Sequence, residues 1–435
     1  MAIPLVVVVG AGAAGLTASL RAAEAGAHVT LLNAHPRIGL KILMSGGTRC
    51  NITHAEVTER DFNGGSRPFV RRVLAEFDVA QTLAWFELLG VALKLEPTGK
   101  YFPESDDAQT VLDALLDAVT RAGVHVEPGA RVVRIARDGD RYRLGIQTVR
   151  ESAAFGAAVA RVRETHWPLP AGEPDRSLDA DRVILATGGL SFPRTGSDGT
   201  GYALATSLGH TLEAPTPALT PLAADDRWCR ELQGLTVDAE LRLFGGRERV
   251  ASTRGSLLLA HFGYSGPCAL DLSRHWYEVE DGAERRVAAS FLPGETEETL
   301  TASLVRAASA EPRASVRALL ARRIPERLAG ALCAEAGIAE STPIAQLPRD
   351  ARARLVARTL SRPMPVTGTL GYEKAEVTAG GVRLSEVDPR TLESRMAPGV
   401  HLCGEILDVE GRLGGFNFQW SWSSGTVAGR SVGST

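Results

Sequence analysis

Three glycines near the start of the chain carry its clearest chemistry. Gly10-Ala11-Gly12-Ala13-Ala14-Gly15 follows an uncharged, β-branched run over residues 3–9 and leads into an alanine- and leucine-rich run that stops at Gly26. Val29-Thr30-Leu31-Leu32 then reads as a second strand. Strand, Gly-x-Gly-x-x-Gly, helix, strand is the context in which this spacing holds a dinucleotide. Gly10 permits the tight turn, Gly12 lets the backbone approach a diphosphate, and Gly15 lets helix and strand pack closely. Ala13 and Ala14 lie in the first helical turn, whose free N–H groups and positive dipole end suit phosphate. The position that usually carries an acidic ribose ligand holds Asn33, which can hydrogen-bond a hydroxyl but has no charge to repel a 2′-phosphate. This unit alone leaves NAD and FAD both open.

The next chemistry lies in the loop over residues 35–53, where Ser45, Gly46 and Gly47 would let backbone amides reach a planar cofactor. Cys50 and His261 are the titratable candidates in suggestive blocks. Cys50 is either an acid with a shifted pKa or a packed small residue. His261, in His261-Phe262-Gly263-Tyr264-Ser265-Gly266-Pro267, is either a proton donor in a substrate pocket or a locally bonded side chain. Near the C-terminus, Gly404-Glu405 and Leu413-Gly414-Gly415-Phe416-Asn417-Phe418-Gln419-Trp420 match the second half of a flavin site. The N-terminus of the helix they open would stabilise negative charge developing at a flavin N1–C2 carbonyl. The plainer reading is a C-terminal helix docked on the sheet.

The elements that must position these groups alternate strand and helix, an α/β pattern. Asp78 caps a helix to Leu88, and Asp106 caps another that ends near Gly123. Residues 124–126 form a strand, and 131–135 with 142–146 form a hairpin around Asp138-Gly139. Residues 150–180 read as a long loop or extended ribbon. A strand over 181–185 ends in Ala186-Thr187-Gly188-Gly189, and 202–208 is a short helix. Pro215, Pro217 and Pro221 mark a linker, after which 239–244, 256–259 and 286–291 look like antiparallel strands of an inserted β domain.

The 435 residues exceed one ordinary core, so two or three domains are expected. No apolar run approaches the ~20 residues of a membrane span. The five cysteines are scattered and odd in number, which points to a reducing cytoplasm and away from disulfides or a zinc or other metal site. The net charge of −3 makes no global case for nucleic acid. Residues 300–362, however, hold eleven arginines against five acidic residues. A basic helical module on an acidic body is either an RNA footprint or a solvated face.

Four blocks in order carry a resemblance. They are Gly10 to Gly15; Lys41-Ile42-Leu43-Met44-Ser45-Gly46-Gly47-Thr48-Arg49-Cys50-Asn51; the block from His261 to Pro267; and residues 377–381 with 404–422. Together they resemble a bacterial family of FAD-dependent oxidoreductases. Its members include enzymes described as aminoacetone oxidases, as a bile-acid flavin oxidoreductase and as a ribosomal RNA dihydrouridine synthase. The resemblance implies a two-dinucleotide-type Rossmann FAD domain, split by a β-barrel-like part and a helical part. The expected segments are 1–208 and 367–435 for FAD, with inserts at 209–299 and 300–366. It further implies that Gly10, Gly12 and Gly15 hold the FAD diphosphate and that Asn33 stands at the ribose. Lys41, Ser45, Gly46 and Gly47 would line the flavin, and Val132 the adenine side. Thr187 and Gly188 would pass near the diphosphate, Gly404 and Glu405 would contact the ribityl or phosphate portion, and Gly415, Phe416 and Asn417 would face the pyrimidine edge. Thr48 replaces what is often a third glycine.

The expected activity is a reductase: NAD(P)H reduces FAD, and hydride passes to an electron-poor double bond in a small molecule or a ribosomal RNA uridine. Two other readings are an amine oxidase using oxygen and a non-catalytic FAD-binding redox sensor. A second Gly-x-Gly-x-x-Gly unit is not evident, so a nicotinamide would bind transiently.

Overall fold

The computed structural model describes residues 3–149 and 172–433. Of the ribbon expected over 150–180, residues 150–171 lie outside the described residues, and Arg176–Ala180 is a strand. The chain divides into two compact units: Met1–Pro217 with Tyr372–Thr435, and Ala218–Gly371.

The first unit is built on a five-stranded parallel sheet in the order Val400–Leu402, Arg182–Leu185, Leu5–Val9, His28–Asn33, His125–Pro128. Val6, Val7, Val8, Leu31 and Ile184 are buried, as parallel strands covered on both faces require. Helix Ala13–Glu24 follows the first strand and ends before Gly26, whose φ is 88°. The final helix, Phe416–Ser431, packs along it through small residues. A β-carbon on Gly425 would lie 2.6 Å from Ala14 O, and one on Gly429 would lie 2.4 Å from Ala18 O. A three-stranded antiparallel sheet, Ala130–Asp138, Arg141–Thr148 and Arg176–Ala180, contains the hairpin expected around Asp138-Gly139.

Several elements differ from the sequence reading. Part of the expected 35–53 loop is a helix, Leu40–Thr48, started by left-handed Gly39 and anchored by buried Ile42. The helix expected to start from Asp106 is instead capped by Asp107, which accepts from Gln109 N–H, while Asp106 has φ 53°. The proline-marked linker contains a strand, Leu212–Ala218, paired with Val377–Val382. Helix Arg67–Glu76, which buries Phe69, Val70, Val73 and Leu74, is an element the sequence reading does not assign.

In the second unit, seven antiparallel strands run in the order Arg362–Met364, Arg285–Ser290, Thr236–Gly245, Glu248–Ala260, Gly263–Ser265, Leu222–Ala224, Val366–Thr369. The sequence reading separates a β insert from a helical insert. In the structure Leu241, Leu259 and Val287 share one core with Leu320, Leu328 and Leu355 of the helices. Within it, buried Arg362 grips Asp226 with both terminal nitrogens, at 2.7 and 3.2 Å, and reaches Glu335 at 2.9 Å. Its guanidinium carbon lies 3.6 Å from the centroid of the Trp228 ring. Among the described residues no helix is long and apolar enough to cross a membrane.

Candidate functional site

The glycine turn divides its labour as its spacing suggests. Gly10 has φ 105° and donates to Leu32 O at 2.8 Å. A β-carbon there would lie 2.4 Å from Ala186 O, and one on Gly15 would lie 1.7 Å from Gly10 O. A β-carbon on Gly12 meets nothing within 4 Å. Two glycines are therefore filled by the protein's own backbone, and the third faces open space. The first intrahelical bond is Leu16 N–H to Gly12 O, so the N–H groups of Ala13, Ala14 and Gly15 precede it. Asn33 is committed to the backbone: Oδ1 accepts from Ala11 N–H at 3.0 Å, and Nδ2 donates to His35 O at 2.6 Å and Arg37 O at 3.2 Å.

The helix Leu40–Thr48 breaks at Ser45, and Gly46, Gly47 and Thr48 follow with φ of 57°, 68° and 69°. This succession turns the chain sharply and leaves Gly47 with no neighbour within 4 Å of an added β-carbon. Arg49 pins the turn by an ion pair to Glu96 at 2.6 Å and by lying 4.0 Å from the centroid of the Phe102 ring. Cys50 is fully buried, and burial pushes its thiol up to about 12, against a lowering hydrogen bond with Ser45. It packs as a small core residue.

Lys41 projects from the same helix into a polar cluster. Its Nζ donates to Ser191 Oγ at 2.7 Å and to Glu405 Oε2 at 2.8 Å. Ser191 Oγ donates to Glu405 Oε1 at 2.6 Å, and Thr378 N–H donates to the same oxygen at 2.9 Å. Burial works to raise the Glu405 pKa, but Lys41, Ser191 and Thr378 together hold it below the usual carboxylate range. Glu405 also follows Gly404, whose added β-carbon would lie 2.8 Å from Ala14 Cβ in the first helix.

The last helix begins at Gly415, φ 95°, and its first intrahelical bond is Gln419 N–H to Gly415 O. The Phe416 ring is fully buried, stacked on His54 at 4.9 Å between centroids, with the Arg412 guanidinium 4.1 Å from its centroid. Asn417 Oδ1 accepts from Gly411 N–H at 2.7 Å, and Nδ2 donates to Gly411 O at 2.9 Å. Both side chains fix the turn, so what they can offer a ligand is backbone N–H groups.

A model of the HI0933-like protein Rossmann domain matches residues 4–162 and 157–431. The chain belongs to this family of FAD-dependent oxidoreductases. It is 34% identical over 433 residues to the 3-dehydro-bile acid delta(4,6)-reductase of Clostridium scindens, with 98% of each chain covered. It is 32% identical to the ribosomal RNA dihydrouridine synthase of Escherichia coli, covering 96% of this chain and 95% of that one. Among solved structures, Mycobacterium smegmatis Sdh1 in its apo form matches with a TM-score of 0.48 at 16% identity, covering 100% of this chain and 68% of that one.

The glycine cradle of this flavoprotein fits FAD: open space over Gly12 meets the N-terminus of a helix, as a diphosphate needs. Lys41, Gly188, Gly404 and Glu405 gather at one place: a β-carbon on Gly188 would lie 3.9 Å from Glu405 Oε2. Thr187 packs against Gly201, where a β-carbon would lie 1.8 Å from its hydroxyl, and Val132 is buried in its strand. His261 is exposed on the turn between Glu248–Ala260 and Gly263–Ser265, in the other unit. Sequence reasoning missed Ser191 and Thr378. They lie 187 residues apart, and nothing in their local sequence pairs them with Glu405.

Proposed function

We propose that this chain is an FAD-dependent reductase that takes reducing equivalents from NAD(P)H and delivers hydride to an electron-poor carbon–carbon double bond. When bound, FAD supplies the hydride chemistry at its ring N5. In this reading Gly12 and the first helical turn hold the diphosphate, with Thr187 and Gly188 alongside and Val132 on the adenine side. The segment from Ser45 to Gly47 lines the ring with backbone. The Gly415 turn aims the positive end of the last helix at the ring edge where negative charge develops. Buried Cys50, with its raised pKa, stays a thiol and transfers no proton in this scheme.

The observation that carries the reading is the open face of Gly12 at a helix N-terminus, in a chain related along nearly its whole length to a protein named a reductase. Uridine in ribosomal RNA is the second substrate reading. Arg313, Arg349, Arg352 and Arg358 make no ion pair among the described residues, which favours a polyanion. Against it, Arg317, Arg322, Arg323, Arg354 and Arg362 are neutralised by acids of their own unit.

The test is anaerobic NAD(P)H consumption by the FAD-loaded protein, with a conjugated enone and with unmodified ribosomal RNA offered separately. Consumption with the enone alone supports the small-molecule reading, and dihydrouridine formation supports RNA. Consumption with neither, combined with reduction by small amines, overturns the reductase in favour of an oxidase. Tight FAD with no donor at all leaves a redox sensor.

A further inference from the structure

The cluster of Lys41, Ser191, Thr378 and Glu405 has a proton count that constrains what it can present. Lys41 donates to Ser191 Oγ, so the single Ser191 proton goes to Glu405 Oε1. Thr378 N–H fills the other lone pair of that oxygen. Glu405 Oε2 accepts from Lys41 and keeps one lone pair, and Lys41 keeps one N–H. The unspent acceptor and unspent donor sit on atoms 2.8 Å apart. Such a pair suits a hydroxylated chain, in which one hydroxyl donates while the same or the next accepts. It suits a phosphate poorly, because Glu405 is ionised.

Ser191 decides this arrangement. It is fully buried, and Thr378 holds it in place: Thr378 Oγ1 accepts from Leu190 N–H at 2.8 Å and from Ser191 N–H at 3.1 Å. Without the Ser191 hydroxyl, Glu405 loses one donor and Lys41 one acceptor. The ammonium is then free to swing onto the lone pair left on Glu405 Oε1 and chelate the carboxylate, which carries its remaining N–H and the Oε2 lone pair out of the positions that Ser191 sets.

We propose that Ser191 is a positioning residue for FAD, fixing the Lys41–Glu405 pair so that it offers one acceptor and one donor to the hydroxylated stretch of the cofactor. This rests on the FAD reading above. The experiment is FAD titration of full-length apoprotein, followed by flavin fluorescence, for wild type, Ser191→Ala, Ser191→Thr, Lys41→Met and Ser191→Ala with Lys41→Met. Circular dichroism confirms the fold of each, and Ser191→Cys, which keeps the shape with a somewhat larger atom and weakens both hydrogen bonds, replaces an alanine variant that does not fold.

The expected result is about tenfold weaker binding by Ser191→Ala, affinity within about threefold of wild type for Ser191→Thr, and almost no added loss once Lys41 is Met. Unchanged affinity in Ser191→Ala overturns the proposal. So does an undiminished loss in the Lys41→Met background, which would make Ser191 a packing residue. Wild-type protein that takes up no FAD would instead fail the functional reading itself.

Discussion

Asn33 ties the glycine turn to the loop beyond the second strand, accepting from Ala11 N–H at 3.0 Å while its amide nitrogen donates to His35 O at 2.6 Å. The loop beside the glycine turn is therefore shaped by an amide that needs both of its functions. Asn33→Asp keeps the acceptor but turns a carboxylate oxygen toward the carbonyls of His35 and Arg37. We expect it to destabilise the protein by about 2 kcal/mol in denaturant unfolding and to weaken FAD binding as the loop moves. Unchanged stability would mean that the amide bonds contribute nothing.

The glycines of the turn should separate by function. Gly15→Ala places its β-carbon 1.7 Å from a backbone oxygen that cannot give way. It should cost about 3 kcal/mol or more, and FAD uptake with it. Gly12→Leu enters open space, so it should leave the melting temperature within a few degrees and yet abolish FAD binding. Equal stability losses in the two variants would remove Gly12 from the binding surface.

Thr48 is a β-branched residue at φ 69° on an exposed turn. Left-handed backbone costs such a residue about 1–2 kcal/mol, and glycine's greater freedom in the unfolded chain returns part of that. Thr48→Gly should raise stability by about 1 kcal/mol in urea unfolding. A loss would show that the Thr48 hydroxyl bond to Gly47 O, at 2.6 Å, outweighs the strain.

His401 gives the fold a pH dependence. Burial, helped by Arg182 and opposed by Glu393, lowers its pKa to about 4. Between about pH 6.5 and about 4 the unfolded chain binds a proton that the native protein refuses, so stability falls as the pH falls through that window. The loss reaches up to roughly 3 kcal/mol. His401→Gln should flatten this slope in unfolding curves collected across the window. A slope identical to wild type would assign the acid sensitivity to other groups.

How much of this was legible in the sequence depended on locality. The turn from Gly10 to Gly15 and the strand over 182–185 announce themselves, because a β-branched run and a glycine spacing each act within a few residues. The Asp78 cap was equally plain: Asp78 and Gln81 exchange bonds three residues apart. The helix at Leu40–Thr48 hid behind its own break, since Ser45, Gly46 and Gly47 read as loop and mask the turn before them. The strand Leu212–Ala218 was obscured by Pro215 and Pro217, which its pairing with Val377–Val382 tolerates. The resemblance singles out Lys41 and Glu405, but their meeting at Ser191 could not be read, because the three come together only through tertiary folding. Part of the block from His261 to Pro267 has a structural explanation. Tyr264 bonds Asp226 at 2.5 Å, and a β-carbon on Gly263 would lie 2.1 Å from Leu222 O.

The measurement that tests the central claim most directly is anaerobic stopped-flow mixing of the FAD-loaded protein with NADH, NADPH and small amines in turn, followed at the flavin absorption maximum. A nicotinamide reductase predicts bleaching by NADH or NADPH, and recovery of colour on adding an electron-poor alkene substrate. Bleaching by amines alone, or a protein that stays colourless after incubation with FAD, would contradict it.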